Sequence, residues 1–224
     1  MKKAILFLLI IVFVKCDKKQ ESKEDNLYEI LSVLYNDIID YHIKDISVPK
    51  PKSVPPGSSV SLDSIKKIIE NDRKTEKDTV KFINEFVKKN GKLIVAINPT
   101  LFTPYTDNLK KEYLKDCIDG YEDIFLSLKE TKDSLAINIA KIPLNKYSYI
   151  LPYQDYYKKT SKKGYDKYDI ILNFSNITFN KNFTKAILIT GVGFGKLNGF
   201  SFISFLEKRK GKWYVKCEKG LTIS

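Results

Sequence analysis

Four residue types are nearly missing from this sequence, and their scarcity disfavours several kinds of function. The 224 residues include one histidine, one tryptophan and one methionine, and the only arginines are Arg73 and Arg209. His42 is the sole imidazole and no motif surrounds it, so Ser-His-Asp and Cys-His catalytic arrangements are disfavoured. Because His42 lies near the end of a predicted helix, its position favours a role as a partner for the helix dipole. Scarce arginine also disfavours sequence-specific recognition of nucleic acid, which uses the planar guanidinium fork.

Lysine supplies nearly all of the positive charge. The chain carries 39 Lys and Arg residues against 27 Asp and Glu residues, which gives a formal net charge of +12. The lysines are spread between acidic residues, a pattern typical of a solvated surface with a general attraction to anionic surfaces. With 43% hydrophobic and 29% charged residues, the composition predicts a globular protein with one domain over residues 26–224. We expect no nucleic-acid partner.

The N-terminus, "MKKAILFLLIIVFVKCDKK", has the layout of an export signal. Lys2 and Lys3 precede an apolar run from Ala4 to Val14. Eleven helical residues rise only about 16 Å, roughly half of the hydrocarbon thickness of a bilayer, so the run is too short to span a membrane. The sequence therefore predicts a signal peptide over residues 1–15.

Cys16 stands where processing of this signal is expected. "FVKC" resembles the lipobox of bacterial lipoproteins, with Lys15 in place of the usual small residue. The resemblance implies cleavage before Cys16 and fatty acylation of its sulfur and amine. Residues 16–25 would form a polar tether, and the protein would be anchored in the cell envelope, on the periplasmic or surface face of the outer membrane. The alternative is an ordinary signal peptide with a coincidental cysteine.

Cys117 and Cys217 are the other two cysteines. In an oxidising periplasm they either form a disulfide or act as two independent small hydrophobic residues in the core. Neither Cys117 nor Cys217 lies in a C-x-x-C pair, and with His42 as the sole histidine the sequence disfavours a Cys/His zinc site. We expect neither a metal nor a cofactor.

Helical patterns dominate the first half of the chain. Asn26 and Glu29 resemble a capping box, and apolar residues then recur at helical spacing to about residue 43. A Pro-rich loop at 48–61 follows, and then a helical region from Leu62 to Lys89. Further elements are predicted as a strand at 92–98, a helix at 107–117 and continued helix at 122–130.

From Ser134 onward the pattern changes to short β-rich runs separated by turn residues. The short connections favour antiparallel neighbours over crossover connections. The sequence thus predicts an α+β fold, with N-terminal helices packed on a C-terminal antiparallel meander. Trp213, directly after a turn, is predicted to be a core anchor for the last hairpin.

The stretch "TGVGFGKLNGF" contains the densest group of glycines. Gly191, Gly193 and Gly195 do not match G-x-G-x-x-G or a Walker loop, and the next segment, "GFSFISFLEK", alternates as a strand does. Glycines at alternating strand positions indicate a bend and leave one face of the strand bare. That face could form the floor of a small-ligand pocket between the sheet and the N-terminal helices.

The last fifth of the chain, residues 177–224, resembles the C-terminal module of uncharacterised lipoproteins of the Bacteroidetes group. The matching motifs are Phe179-Asn180-Lys181, Leu206-Glu207-Lys208 and Gly211-Lys212-Trp213. Hairpins of this type also end NTF2-like and cystatin-like curved sheets. The resemblance implies a lipoprotein with such a sheet, but no established activity and no catalytic residues.

Carboxylates at positions 112–123 are the one cluster that could act in catalysis. Two of them could serve a hydrolase, although intervening lysines also fit a solvated helix face. The sequence contains no convincing catalytic motif. We therefore expect a lipid-anchored envelope protein with a binding or structural role, with a periplasmic hydrolase and a small-ligand-binding domain as the alternatives. The five carboxylates are Glu112, Asp116, Asp119, Glu122 and Asp123.

Overall fold

The computed structural model describes residues 22–47, 80–104, 106, 109–132, 134–153, 168–194 and 198–223. The predicted signal peptide, Cys16, the loop at 48–61 and Gly195 lie outside these residues. Within them the chain forms three α-helices and nine β-strands. None of the described helices is both long enough and apolar enough to cross a membrane.

The helices are α1 (Lys23–Ser47), α2 (80–90) and α3 (Glu122–Glu130). The strands are β1 (Leu93–Ile97), β2 (Thr100–Leu101), β3 (Leu135–Ala136), β4 (Ser148–Pro152), β5 (Ile170–Phe174), β6 (Thr178–Phe179), β7 (Lys185–Gly193), β8 (Gly199–Arg209) and β9 (Lys212–Ile223). Seven strands form the main sheet in the order β4-β1-β5-β7-β8-β9, with β6 paired to β7, while β2 and β3 pair separately. The predicted α+β class is confirmed.

Helix α1 begins earlier than the sequence pattern predicts. The backbone N–H of Asp25 donates to Ser22 Oγ at 3.0 Å, and that of Ser22 donates to Asp25 Oδ2 at 3.2 Å. This reciprocal pair is a capping box, so the predicted box at Asn26 and Glu29 is wrong. The last residues of the predicted tether, from Lys23 to Asp25, therefore belong to the helix.

Strand β1 lies between β4 and β5 and is parallel to both. The expectation that consecutive strands from residue 134 onward are antiparallel neighbours is therefore wrong for β4 and β5. The physical reason is the apolar sequence of β1, LIVAI, which is largely buried on both faces and needs a central position in the sheet. The run at 134–142 also differs from prediction, because it forms only the short β3 and a 3-10 turn.

The predicted meander is present as β7, β8 and β9, which pair antiparallel in succession. The tight turn between β8 and β9 places Lys210 at φ 49° and Gly211 at φ 78°. Two successive positive φ angles match the type I′ turn, whose twist suits a hairpin. Trp213, just past the turn, is 3% exposed and packs in the core, as predicted.

Helical segments cover both faces of the main sheet. Apolar residues of α1 pack on one face, together with Leu188, Val192 and Leu206 of the sheet. The segment from residue 114 to α3 packs on the other face, against Ile187 and Ile203. Helix α3 forms where predicted. In the described part of the helix expected at 107–117, residues 109–117, the helical structure is a 3-10 turn at Lys111–Leu114.

Candidate functional site

Gly191 and Gly193 lie on the face of β7 that points away from α1. Val192, the residue between them, packs in the same cluster as α1, and successive side chains of a strand point to opposite faces. A Cβ atom at Gly193 would meet Ile171 Cβ at 3.8 Å, an ordinary contact. Any pocket against α1 is therefore lined by residues other than these two glycines.

Such a pocket exists close to the glycine-rich stretch, between α1 and the ends of β8 and β9. Its volume is about 530 Å³, within the range typical of small-molecule sites. We call it the aromatic cavity. Its described lining residues are Leu34, Asp37, Ile38, Tyr41, Phe194, Phe200, Phe202, Glu218 and Gly220.

Helix α1 contributes one side of the aromatic cavity through residues at helical spacing. Asp37 and Tyr41 are four residues apart, and Leu34 and Ile38 are also four apart. Residues three or four apart lie on one face of a helix, so this face presents apolar side chains and one carboxylate to the sheet. Ile38 is 9% exposed, whereas Tyr41 is 71% exposed and stands in solvent.

The sheet contributes the other side. Phe200 and Phe202 alternate along β8 and so point to the same face. Gly220 of β9 pairs with Phe202. A Cβ atom built on Gly220 would meet no described atom within 4 Å, so the missing side chain leaves this part of the cavity open.

The aromatic rings of the cavity form a continuous array. Ring centroids are 5.8 Å apart between Phe194 and Phe200 and 5.8 Å apart between Phe200 and Phe202. His42 stacks on Phe194 with centroids 4.6 Å apart. Burial lowers the pKa of His42, although the negative charges of Asp45 and Asp169 raise it. The neutral imidazole therefore supports one end of the array.

Asp37 and Glu218 give the cavity its charge. Glu218 Oε1 accepts a hydrogen bond from Ser204 Oγ at 2.8 Å. Burial among neighbouring atoms raises the pKa of both carboxyls, and the charge of Asp40 further raises that of Asp37. The charge of Asp37 also raises the pKa of Glu218, although both residues keep substantial contact with solvent. The two carboxylates thus act on each other at one site.

The carboxylates singled out from the sequence lie elsewhere, in the segment packed on the opposite face of the sheet. All five, Glu112, Asp116, Asp119, Glu122 and Asp123, are exposed. Asp116 Oδ2 pairs with Lys219 Nζ at 2.7 Å, and this hydrogen bond and charge lower the pKa of Asp116. Among the residues that the structure describes, no group of three or more His, Cys, Asp or Glu side chains is arranged to hold a metal.

Cys117 and Cys217 are joined by a disulfide, with their Cα atoms 5.5 Å apart. Of the two alternatives left open by the sequence, the structure thus has the bridge. The Tyr113 hydroxyl also donates to the Gly220 carbonyl, next to the Lys219 ion pair. These links fix the part of β9 that contributes Glu218 and Gly220 to the aromatic cavity.

Two other cavities lined by described residues are larger but less suited to a defined ligand. One, of about 760 Å³, is a groove beside Gly211 and the start of β9 that contains the exposed pair of Lys141 and Glu24, 2.6 Å apart. The other, of about 890 Å³, mixes lysine, amide, hydroxyl and apolar side chains. The aromatic cavity combines an apolar lining with two carboxylates, the arrangement typical of small-molecule sites.

Comparisons with protein-family models, with curated proteins and with solved structures find no match to this chain. We therefore infer the role of the aromatic cavity from its own residues. The sequence did not single out Asp37, Tyr41, Glu218 or Gly220 as site residues. A weak signal was available, because Asp37 interrupts an otherwise apolar helix face and Gly220 interrupts the last strand.

Proposed function

We propose that this protein is a lipid-anchored envelope protein whose α+β domain binds a small, largely apolar ligand in the aromatic cavity. The observation that carries the proposal is the cavity of about 530 Å³ lined by Phe194, Phe200, Phe202 and Tyr41. Aromatic side chains provide large apolar contact areas, and sites of this volume bury most of the surface of a small molecule.

The predicted anchor would hold this cavity near a membrane. Acylated Cys16 would be followed by a short polar segment, and helix α1 begins at Lys23. Seven residues span at most about 25 Å even when fully extended, so the domain would stay close to the bilayer. A bilayer is also a source of apolar molecules, which agrees with the lining of the cavity.

The test uses the whole chain carrying Cys16→Ser, which removes the acylation site and the need for detergent. N-phenyl-1-naphthylamine, an uncharged probe that fluoresces in apolar surroundings, is titrated into the protein. We expect saturable binding of one probe per chain with a Kd on the order of 200 µM, from about 0.3 kcal/mol for each of the roughly 17 non-hydrogen atoms of the probe. A linear, non-saturable signal would contradict the proposal.

Gly220→Leu and Gly193→Ala are the matched variants. Leucine at position 220 fills open space in the cavity without altering any charge, so probe binding should weaken by about 10-fold or more. Alanine at position 193 points away from α1 into an ordinary contact and should leave binding unchanged. Equal affinity in the parent and Gly220→Leu would place the probe outside the aromatic cavity.

A further inference from the structure

We propose, resting on the proposed function, that the aromatic cavity selects a positively charged ligand: an organic cation in which a protonated or quaternary amine is attached to an apolar body. The proposal comes from the juxtaposition of Asp37 and Glu218 with an array of aromatic rings in one cavity of small-molecule size. It names the class of ligand, and three separate features of the cavity support it.

The charge of the cavity is opposite to that of the chain. The whole sequence has 39 basic and 27 acidic residues, yet the charged side chains among the described lining residues are Asp37 and Glu218, both acidic. Lys219, next to Glu218 in the chain, is paired with Asp116 on the other face of the sheet. A negative site on a positive protein favours cations over anions by electrostatic complementarity.

The two carboxylates lack a cationic partner within the described part of the chain. Glu218 accepts one hydrogen bond from the neutral hydroxyl of Ser204, and Asp37 forms no ion pair with a described residue. Asp40, which adds to the negative potential at Asp37, accepts a hydrogen bond from the neutral amide of Asn145. A bound cation would relieve the repulsion between these carboxylates, and an anion would increase it.

The aromatic rings favour the same sign of charge. The face of an aromatic ring carries partial negative charge and attracts ammonium groups, and cages of such rings recognise quaternary ammonium ligands. Phe194 and Phe200 are half-buried, and Tyr41 is 71% exposed, so their rings are accessible from solvent. The rings and the carboxylates together can surround an ammonium group while the apolar side chains of the cavity contact the rest of the ligand.

The test is displacement of N-phenyl-1-naphthylamine by three naphthyl compounds of matched size. They are (2-naphthylmethyl)trimethylammonium, its uncharged carbon isostere 2-neopentylnaphthalene, and the anion 2-naphthylacetate. The cation is expected to displace the probe at a concentration about 10-fold lower than the isostere requires, with the anion weakest. Equal displacement by the cation and the isostere would overturn the inference.

Glu218→Gln and Asp37→Asn test the carboxylates directly. Each variant should reduce the preference for the cation over the uncharged isostere to about 3-fold or less. Asp119→Asn, an exposed carboxylate on the opposite side of the sheet, should keep the full preference. A full preference in both cavity variants would overturn the inference.

The preference for the cation should also fall as the pH is lowered. Burial raises the pKa of Asp37 and Glu218, so they lose charge at higher pH than ordinary carboxyls do. Asp40 on α1 and Ser204 on β8 face these groups, and protonation of His42 beside Phe194 would add a repelling charge. A preference that is constant from pH 7 to pH 4 would contradict the assignment.

The melting temperature of each charge variant tests whether the variant is folded, and it provides a measurement that does not depend on the ligand. A carboxyl whose pKa is raised by folding stabilises the protein at low pH and loses that contribution as the pH rises through its folded pKa. Glu218→Gln should therefore raise the melting temperature at pH 7 but not at pH 4.

If the probe fails to bind the parent, the proposed function is contradicted. If the probe binds but the cation displaces it no better than the uncharged isostere does, only the assignment of the ligand class is contradicted.

Discussion

At the scale of single residues, Asn26 links the last hairpin to α1. This buried amide accepts hydrogen bonds from Trp213 Nε1 at 2.9 Å and from Lys208 Nζ at 2.8 Å. Its own Nδ2 donates to the Ser22 carbonyl at 2.9 Å. The sequence pattern assigned Asn26 to a helix cap, but the side chain instead satisfies two donors from the sheet. Trp213 therefore anchors the core through a polar contact as well as through its ring.

Asn26→Ala should lower the free energy of unfolding by at least about 2 kcal/mol. The substitution leaves the indole N–H of Trp213 and the ammonium of Lys208, whose side chain is 8% exposed, without this acceptor. Asn26→Asp keeps an acceptor for both donors and should lose less. Urea unfolding measures the changes, with the exposed Asn182→Ala as a control within about 0.5 kcal/mol of the parent. Equal losses in Asn26→Ala and the control would contradict the role of Asn26.

At the scale of elements, the disulfide joins the segment before α3 to strand β9. β9 is an edge strand of the sheet, paired with β8 alone. The links from Cys117, Asp116 and Tyr113 all reach β9 between residues 217 and 220. The covalent bridge therefore restricts β9, the strand that carries one of the two carboxylates of the aromatic cavity. We expect both the stability of the protein and ligand binding in the cavity to depend on the disulfide.

The double variant Cys117→Ser/Cys217→Ser should lose about 4–5 kcal/mol of stability. The cysteines are 100 residues apart, and the chain-entropy model assigns this contribution to a loop of that length. Urea unfolding is measured with and without dithiothreitol in the Cys16→Ser background. The reductant should destabilise the parent to the level of the double variant and leave the variant unchanged. A parent insensitive to reduction would contradict the expected contribution of the bridge.

At the scale of the whole molecule, the chain combines a predicted lipid anchor with a domain of high positive charge. The formal net charge of the sequence is +12, and the predicted loss of residues 1–15 removes Lys2, Lys3 and Lys15. The remaining excess of lysine would favour approach to anionic membrane surfaces, which adds to the anchoring effect of acyl chains. The acidic aromatic cavity is a local exception within this positive surface.

Acylation is predicted to occur at Cys16 alone. Cells grown with a clickable fatty-acid analogue should label the parent and the Cys117→Ser/Cys217→Ser variant to a similar degree. Cys16→Ser should show no label and should be recovered in the soluble fraction, because two or more acyl chains are what hold such a protein stably on a bilayer. Equal labelling of Cys16→Ser and the parent would refute the lipid anchor.

Local patterns predicted the elements whose formation depends on neighbouring residues. Helix α3, the core of α1 and the hairpin around Gly211 follow from periodicity and turn chemistry that act within a few residues. The prediction of a helix at 107–117 is wrong because tertiary contacts hold that segment in another conformation. These contacts are the disulfide at Cys117 and the contacts of Asp116 and Tyr113 with β9. Tertiary contacts there override helical propensity.

The sequence by itself determined the α+β class and the burial of Trp213, because each depends on residues close together in the chain. The export and anchoring signal also depends on neighbouring residues, and it stays a prediction from the sequence. Only the tertiary structure decided that β1 lies between β4 and β5, which cysteines meet, and which residues line a cavity. Asp37 and Glu218 are far apart in sequence, and no local pattern couples them. They act on one site because packing α1 on the sheet brings both to the same cavity.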